Sequence, residues 1–334
     1  MKLKKFLWAV IFTVVLTSFT VYVTLDTFVI ARVYETPVQP ETSQTVTKSA
    51  ETETTTDKGT ENEETASEQT TATVTVTETE TEAATEPAYE PVITDRSYDD
   101  GNIKIEITEC RYYDTTMYVA DIVVSSPEYL KTALAKNAYG KNVTATTSAT
   151  AKNVGAILAI NGDYYGARES GYVIRNGVLY RSKSRSNTDI LVIYNDGSMK
   201  VLESKDISAE QLLADGAVDV FSFGPGLLEN GEITVSEGYE VGIAMASNPR
   251  TAVGMIDELH YVFVVSDGRT SESRGLSLYE LACFMQDLGV TVGYNLDGGG
   301  SSTMVFNGEV INNPTTNGRR ISERSVSDIV YIGY

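Results

Sequence analysis

Three consecutive glycines follow the apolar run Val290–Leu296, in the segment Asn295-Leu296-Asp297-Gly298-Gly299-Gly300-Ser301-Ser302-Thr303. Glycine at a strand end weakens the strand unless something needs the space. Without Cβ atoms, successive backbone N–H groups can turn inward as an anion-binding nest. A ligand can also approach such a backbone closely. Asp297 ends the strand facing the same space, with Ser301, Ser302 and Thr303 hydroxyls beside it. A tight turn accounts for one or two glycines, not for three between an Asp and two serines. Asp297 is thus the leading candidate for a catalytic carboxylate, and Gly298–Ser302 for a donor nest.

Other polar turns follow the same grammar. Asn161-Gly162-Asp163-Tyr164-Tyr165-Gly166 ends an apolar run with an acid, and its tyrosines could stack on a sugar ring; Asn-Gly alone is a common turn. Asn248-Pro249-Arg250-Thr251 and Glu323-Arg324-Ser325 each place an Arg at a strand start. Arg carries a planar fork suited to phosphate or carboxylate, although a surface Arg is commonly only solvated. Ser266-Asp267-Gly268-Arg269 ends another run with an acid, and Asp-Gly is again a turn signal. Ser222-Phe223-Gly224-Pro225-Gly226 is a rigid small-residue loop whose backbone could line a pocket or simply connect two strands.

Composition removes several mechanisms. The single histidine, His260, rules out a multi-His metal site, and it sits inside the apolar run Leu259–Val265, where a structural role fits better than a triad. Cys110 and Cys283 are far apart and form no C-x-x-C motif. They read as two buried thiols, with a disulfide possible outside the cell. No metal ligand set or cofactor is assigned; carboxylates can hold Ca²⁺ or Mg²⁺, but no EF-hand-like spacing is present. The formal net charge is −20, and no Lys/Arg run follows residue 5, so nucleic acid is excluded as a partner.

The elements that must position these residues are many short strands and a few helices. Ile103–Thr108 alternates with period two, and Met117–Val124 reads as its partner. A helix is expected over Glu128–Ala138 after Pro127, and a shorter one over Ser148–Asn153. Ala156–Ile160 reads as a buried strand. Asn176-Gly177 and Asn195-Asp196-Gly197-Ser198 mark hairpins. Ser208-Ala209-Glu210-Gln211 and Ser277-Leu278-Tyr279-Glu280 are capping boxes that open helices. The expected class is α+β, a mixed β-sheet domain with a few helices.

Charge divides the 334 residues unevenly, with net +3 over 1–34, −12 over 35–91 and −11 beyond. Phe6–Leu25 is 20 consecutive uncharged, mostly apolar residues after Lys2, Lys4 and Lys5. That length spans a bilayer core of roughly 30 Å, and the lysines keep the N-terminus cytoplasmic. The run is longer than a signal-peptide core and lacks an A-x-A-like site. Residues 1–34 are therefore read as a cytoplasmic tip and single-pass transmembrane anchor. Residues 35–91, nearly all Thr and Glu, read as a disordered stalk holding the domain away from the membrane. Residues 92–334 read as an extracytoplasmic globular domain.

From about Ala156 onward, six blocks resemble the phosphodiester glycosidase family, whose bacterial members include exopolysaccharide-related proteins. They are Asn161–Tyr165, Phe223–Pro225, Asn248–Gly254, Gly275–Ala282, Asn295–Met304 and Glu323–Asp328. Two departures stand out. Many relatives read Asn-Gly-Gly-Phe-Phe where this chain has Asn161-Gly162-Asp163-Tyr164-Tyr165, and Arg-Pro-Val where it has Arg324-Ser325-Val326. The resemblance implies hydrolysis between a sugar's anomeric carbon and a phosphodiester, in an envelope or extracellular glycan. It implies Asp297 as a catalytic carboxylate; Asp163, where many relatives have Gly, is a second catalytic candidate on its strand-end position in this chain. Substrate contacts would come from Asn161, Gly224, Arg250, Thr251, Asp267, Gly298, Gly299, Gly300, Ser301, Ser302, Thr303 and Arg324. The partners would be a sugar-phosphodiester or anionic glycan, and the membrane through the N-terminal helix. A non-catalytic carbohydrate-binding scaffold and a P–O-cleaving phosphodiesterase are the alternatives.

Overall fold

The computed structural model describes residues 3–34, 90–239 and 247–334, with side chains from Phe6 onward. The expected stalk lies, apart from residues 90 and 91, outside the described residues. An apolar helix spans Leu3–Phe28. Its 23-residue stretch Phe6–Phe28 is long and apolar enough to cross a membrane.

The domain is built from three sheets around one core. The nine-stranded sheet runs Glu232–Ile233, Gly226–Glu229, Val292–Asn295, Arg250–Asp257, His260–Ser266, Thr115–Val124, Ile103–Tyr112, Ser97–Asp99 and Val92–Ile93 in spatial order. A five-stranded sheet runs Val178–Arg181, Val173–Arg175, Ala217–Phe221, Asp189–Tyr194 and Met199–Glu203. The other five-stranded sheet runs Glu309–Val310, Met304–Phe306, Leu158–Asn161, Asp328–Ile332 and Leu130–Leu134. The class is α+β as expected. Pairing within the three sheets is antiparallel rather than mixed, which the short turns between successive strands permit.

The alternation of Ile103, Ile105 and Ile107 with exposed residues drives those three inward. They join one core cluster with Phe263, Val253 and Tyr294 of the same sheet and Leu158, Ile160, Val330, Leu191 and Phe221 of the other two. Burying each such aliphatic or aromatic side chain stabilises the fold by about 1.5–3 kcal/mol before entropy is charged against it. Each sheet's outer face takes a helix. Leu278–Asp287 buries Leu278, Leu281, Ala282 and Met285 on the large sheet. Ala209–Ala214 covers the first small sheet, and Thr147–Val154 the second. The capping box at Ser277 and Glu280 is formed in both directions, and Ser208 caps its helix through Gln211 N.

The expected helix over Glu128–Ala138 is not formed. A single 3₁₀ turn at Pro127–Tyr129 leads into the strand Leu130–Leu134. Leu130 and Thr132 face inward while Lys131 and Ala133 are more open, and the strand zips against Asp328–Ile332. Good helix formers here lose to a sheet edge that offers partners for every backbone group.

The residues just after the apolar helix also differ from the expectation. Arg32–Val33 pairs with Gly140–Lys141 of the domain, so the helix end abuts the domain rather than being held away from it.

Candidate active site

Strand ends from all three sheets converge on one polar centre. Leu158–Asn161 and Val292–Asn295 both run into turns there, and Asp328 opens the adjoining strand. Asn161 is the bracket between them. Its Nδ2 donates to the Asp297 carbonyl at 2.6 Å, while its Oδ1 accepts from Thr251 Oγ1 at 2.8 Å and from the Thr303 amide at 3.2 Å. The Asp297 amide in turn donates to the Gly162 carbonyl at 3.2 Å. Asn161 and Thr251 are fully buried. They therefore position the turns that carry the carboxylates.

Asp297 Oδ2 accepts from Ser301 Oγ at 2.6 Å and from Arg324 Nη2 at 2.8 Å. Arg324 also donates through Nε to Ser301 Oγ at 2.8 Å and through Nη2 to the Gly298 carbonyl at 3.0 Å. The Arg324 side chain is 39% exposed and that of Asp297 10% exposed, so the guanidinium stands between the carboxylate and solvent. Burial pushes the Asp297 carboxyl above its ordinary range, and the Arg324 charge pulls partly against that shift.

Three of the five amides of the expected nest are engaged inside the protein. The Gly299 amide donates to the Pro249 carbonyl at 2.8 Å. The Ser301 and Ser302 amides close a 3₁₀ turn onto Gly298 and Gly299. These N–H groups are thus engaged within the protein rather than presented to an anion. What requires glycine is close packing. A Cβ at Gly298 would lie 2.8 Å from the Pro249 carbonyl oxygen, and one at Gly300 would lie 2.3 Å from Thr316 Oγ1. Gly299 also has φ of +65°.

Asp163 is 2% exposed and belongs to a buried charge cluster that the sequence motifs did not reveal. Its Oδ1 accepts from the Tyr164 amide at 2.5 Å and its Oδ2 from the Ser222 amide at 2.8 Å. Its own amide donates to Asp328 Oδ1 at 2.8 Å. Arg175 lies across the two acids, with Nη2 2.7 Å from Asp328 Oδ2 and 3.9 Å from Asp163 Oδ2. Arg175 Nη1 also donates to the Ile174 carbonyl, and its guanidinium stacks 4.0 Å from the Phe221 ring centre. Burial pushes the Asp328 carboxyl up to about 7, with Arg175 opposing and Asp163 reinforcing the rise. Asp163 also contributes to the raised Asp297, so the field of one acid reaches the other.

Residues 154–333 match the model of the phosphodiester glycosidase family. The chain belongs to the phosphodiester glycosidase family. The mouse N-acetylglucosamine-1-phosphodiester alpha-N-acetylglucosaminidase is 31% identical over 188 residues, 51% of this chain and 36% of that protein. The SPbeta prophage-derived uncharacterized protein YomE of Bacillus subtilis is 29% identical over 203 residues, 59% of this chain and 31% of that protein. The chain thus spans about a third of the length of these curated relatives. The zebrafish N-acetylglucosamine-1-phosphodiester alpha-N-acetylglucosaminidase catalytic domain superposes with a TM-score of 0.55 at 23% identity, covering 70% of this chain and 83% of that one. A hypothetical protein from Synechocystis superposes at 0.53 with 14% identity, covering 69% and 62%. At those identities the superpositions speak for the fold alone.

Within this phosphodiester glycosidase domain, the residues expected at the substrate separate into groups. Asp297, Ser301 and Arg324 meet around one oxygen. Gly224 is held to the strand end by Asn295 Nδ2, which donates to its carbonyl at 2.8 Å. Ser302 Oγ, Thr303 Oγ1 and Asn295 Oδ1 are buried polar atoms without a hydrogen-bond partner among the described residues. Arg250 is 4% exposed, and its Nε donates to the Leu276 carbonyl at 2.8 Å, so it ties strand to loop. Asp267 grips a different loop: its Oδ1 accepts from the Asn313 amide at 2.8 Å, and its Oδ2 from Asn313 Nδ2 at 2.9 Å. It belongs to that loop's scaffolding rather than to the Asp297 centre. His260 lies elsewhere, paired with Asp121 at 3.0 Å.

Beside Arg324 the surface opens into a cleft of about 300 Å³, lined also by Tyr164, Ser325 and Asn142. Tyr164 is 44% exposed and lies under the Arg168 guanidinium, 5.9 Å from ring centre to charge. The cleft thus presents an aromatic ring and the Arg324 cation, with Asp297 buried behind that cation.

Proposed function

We propose that this domain hydrolyses a sugar-1-phosphodiester at the glycosidic C–O bond, with Asp297 as the central carboxylate and Arg324 as the phosphate-binding cation. The observation that carries the reading is Arg324, which lines an open cleft and holds the buried Asp297 carboxylate behind it, in a phosphodiester glycosidase domain. A glycosidase ordinarily sets two carboxylates about the scissile bond. Here Asp297 and Asp163 stand on neighbouring turns joined by the Asp297–Gly162 backbone bond.

The chemistry follows from the leaving group. A phosphate monoester leaves as a weak base and needs its charge stabilised more than it needs a proton. Arg324 supplies a fixed cation, and its exposed edge offers N–H donors to the phosphate oxygens. Asp297 then stabilises positive charge developing at the anomeric carbon or activates the attacking water. Asp163 serves as the second acid of the pair, held by the Tyr164 and Ser222 amides. Tyr164 offers a ring face to the sugar. The name of the mouse relative supports the same bond class.

In this reading the domain works outside the membrane on an envelope or extracellular glycan, anchored by the N-terminal helix; the apolar length of Phe6–Phe28 supports the anchor. The test is a panel of sugar-1-phosphodiesters offered to the domain in water enriched in ¹⁸O. Turnover with label in the sugar supports the reading. Label in the phosphate would mean P–O cleavage, and binding without turnover would mean a carbohydrate-binding scaffold.

A further inference from the structure

The end of the apolar helix is built into the domain. Helix C-termini leave carbonyls without intrahelical partners. Here Asn142 Nδ2 donates to the carbonyls of Thr27 and Ile30, each at 3.1 Å. Lys141 Nζ lies 3.8 Å from Asp26 Oδ2, and Arg32 pairs with the same carboxylate. The chain then adds a strand to the domain edge: Arg32 lies opposite Lys141, Val33 lies opposite Gly140, and the Tyr34 amide donates to the Tyr139 carbonyl at 2.9 Å. Gly140 is what admits this strand, since a Cβ there would stand 1.9 Å from the Arg32 carbonyl oxygen.

The docked helix end borders the catalytic cleft. Thr27 and Phe28 line the same 300 Å³ cleft as Arg324 and Tyr164. An adjoining cleft of about 400 Å³, sharing Thr27, Gly166 and Ala167 with the first, is lined also by Lys141, Arg168, Glu169 and Arg181. In a chain of net charge −20, this face gathers Arg324, Arg168, Arg181, Lys141 and Arg32 around one helix end, against the two acids Glu169 and Asp26. Twenty helical residues fill a hydrocarbon core of roughly 30 Å, and the headgroup layer adds only about 5–7 Å on each side. With Phe6–Leu25 in the core, Thr27 and Phe28 lie at headgroup depth. The mouth of the cleft lies there with them, and so do the phosphates of membrane lipids.

We infer that the substrate is held in the membrane: a sugar joined through C1 to a phosphate whose second ester is a lipid alcohol. This rests on the glycosidase reading and on the helix spanning a bilayer. Such a substrate reaches the cleft by lateral diffusion, with its phosphate already level with Arg324, whereas a large soluble polymer would have to enter between domain and bilayer. In the reaction, water oxygen bonds to C1 and the C1–O bond breaks. Its electron pair leaves on the lipid phosphate, now a monoester, and the water proton passes through the carboxylate to solvent. The free sugar departs into water and the lipid phosphate stays in the bilayer.

The test uses the full chain in phospholipid vesicles and two probe series over the common hexoses and N-acetylhexosamines. One series carries a prenyl alcohol as second ester, and the other a methyl group. The expected result is kcat/KM at least 10-fold higher for a prenyl diester than for its methyl counterpart. A variant with twelve Gly/Ser residues inserted between Ile30 and Ala31 frees the domain from the helix end without altering the domain. It should lose at least 5-fold on the prenyl probe and nothing on the methyl probe. Gly140→Ala, which wedges the strand off, should behave the same way. Equal turnover of the two series, or an insertion variant indistinguishable from wild type, overturns the membrane-held substrate while leaving the glycosidase reading intact. No turnover of either series overturns both.

Discussion

Arg324 and Asp297, 27 residues apart, close a three-membered ring through Ser301: Arg324 Nη2 donates to Asp297 Oδ2 at 2.8 Å, Arg324 Nε donates to Ser301 Oγ, and Ser301 Oγ donates to that same carboxylate oxygen. The cation is therefore pre-positioned over the acid before any substrate arrives, and it faces the cleft.

Arg324→Lys should keep the charge and lose the fork. With Nε and Nη2 no longer anchored separately, the ammonium cannot hold both Ser301 and Asp297 in one geometry. KM for a sugar phosphodiester should rise several-fold, and steady-state kinetics read this directly. Unchanged KM and kcat in both Arg324→Lys and Arg324→Ala would remove Arg324 from the phosphate.

Arg324→Met should also move the pH profile. Burial raises the Asp297 carboxyl and Arg324 lowers it, so removing the cation raises it further. If Asp297 works ionised, activity is lost as pH falls through its pKa. The acid limb of kcat/KM must then shift to higher pH. An acid limb that stays in place would mean that another group controls it.

Gly299→Ala tests the packing role of the glycines. Its φ of +65° is a conformation that costs an L-residue about 1–2 kcal/mol. Gly300→Ala should be worse, because its Cβ would meet Thr316 Oγ1 at 2.3 Å and Thr316 Cα at 3.1 Å. Thermal unfolding should rank Gly300→Ala below Gly299→Ala. A nest role without a packing role would instead impair turnover and leave both melting temperatures unchanged.

The buried Arg175 makes a stability prediction. It is 1% exposed and pairs with Asp328 at 2.7 Å, and removing one partner of a buried pair typically costs about 3–5 kcal/mol. Arg175→Ala should lower denaturant stability on that scale. The pH dependence has a definite sign. Asp328 is raised from 3.8 to about 7 in the fold, so the folded state binds the extra proton between those values. Its contribution is full below about pH 4 and declines as pH rises through about 7. The stability difference between wild type and Asp328→Asn should shrink over that window as pH rises.

Much of the centre was legible because local chemistry and fold agree there. The Asp297 turn follows a strand, glycines permit its close packing, and Arg324 opens the block that packs against it. The two hairpins, the Ser277 capping box, the Ser208 N-cap and the buried strand before Asn161 were equally readable from period and turn residues; the Gln211 side chain bonds Asp215 instead of closing the second box. What was not legible depends on distant partners. Arg175 sits in Tyr172–Arg175, which reads as an ordinary hairpin flank, and only the fold brings Asp328 to it across 153 residues. Asp267 depends on distant partners too. Its Asp-Gly strand end looks like that of Asp297, but Asn312 and Asn313 occupy its carboxylate. The strand Leu130–Leu134 was hidden for a similar reason, since its helix-forming residues are overruled by pairing with Asp328–Ile332.

The central claim is that Asp297 performs the chemistry, and Asp297→Asn in the folded protein tests it most directly. The amide keeps the shape, and Ser301 and Arg324 can still bond to its oxygen, so the melting temperature should barely move. With a sugar-1-phosphodiester that the wild type turns over, kcat should fall by about 10²–10⁴, the scale of a positioned acid–base group. A folded Asp297→Asn variant with near-normal kcat would contradict the account and move the chemistry to Asp163.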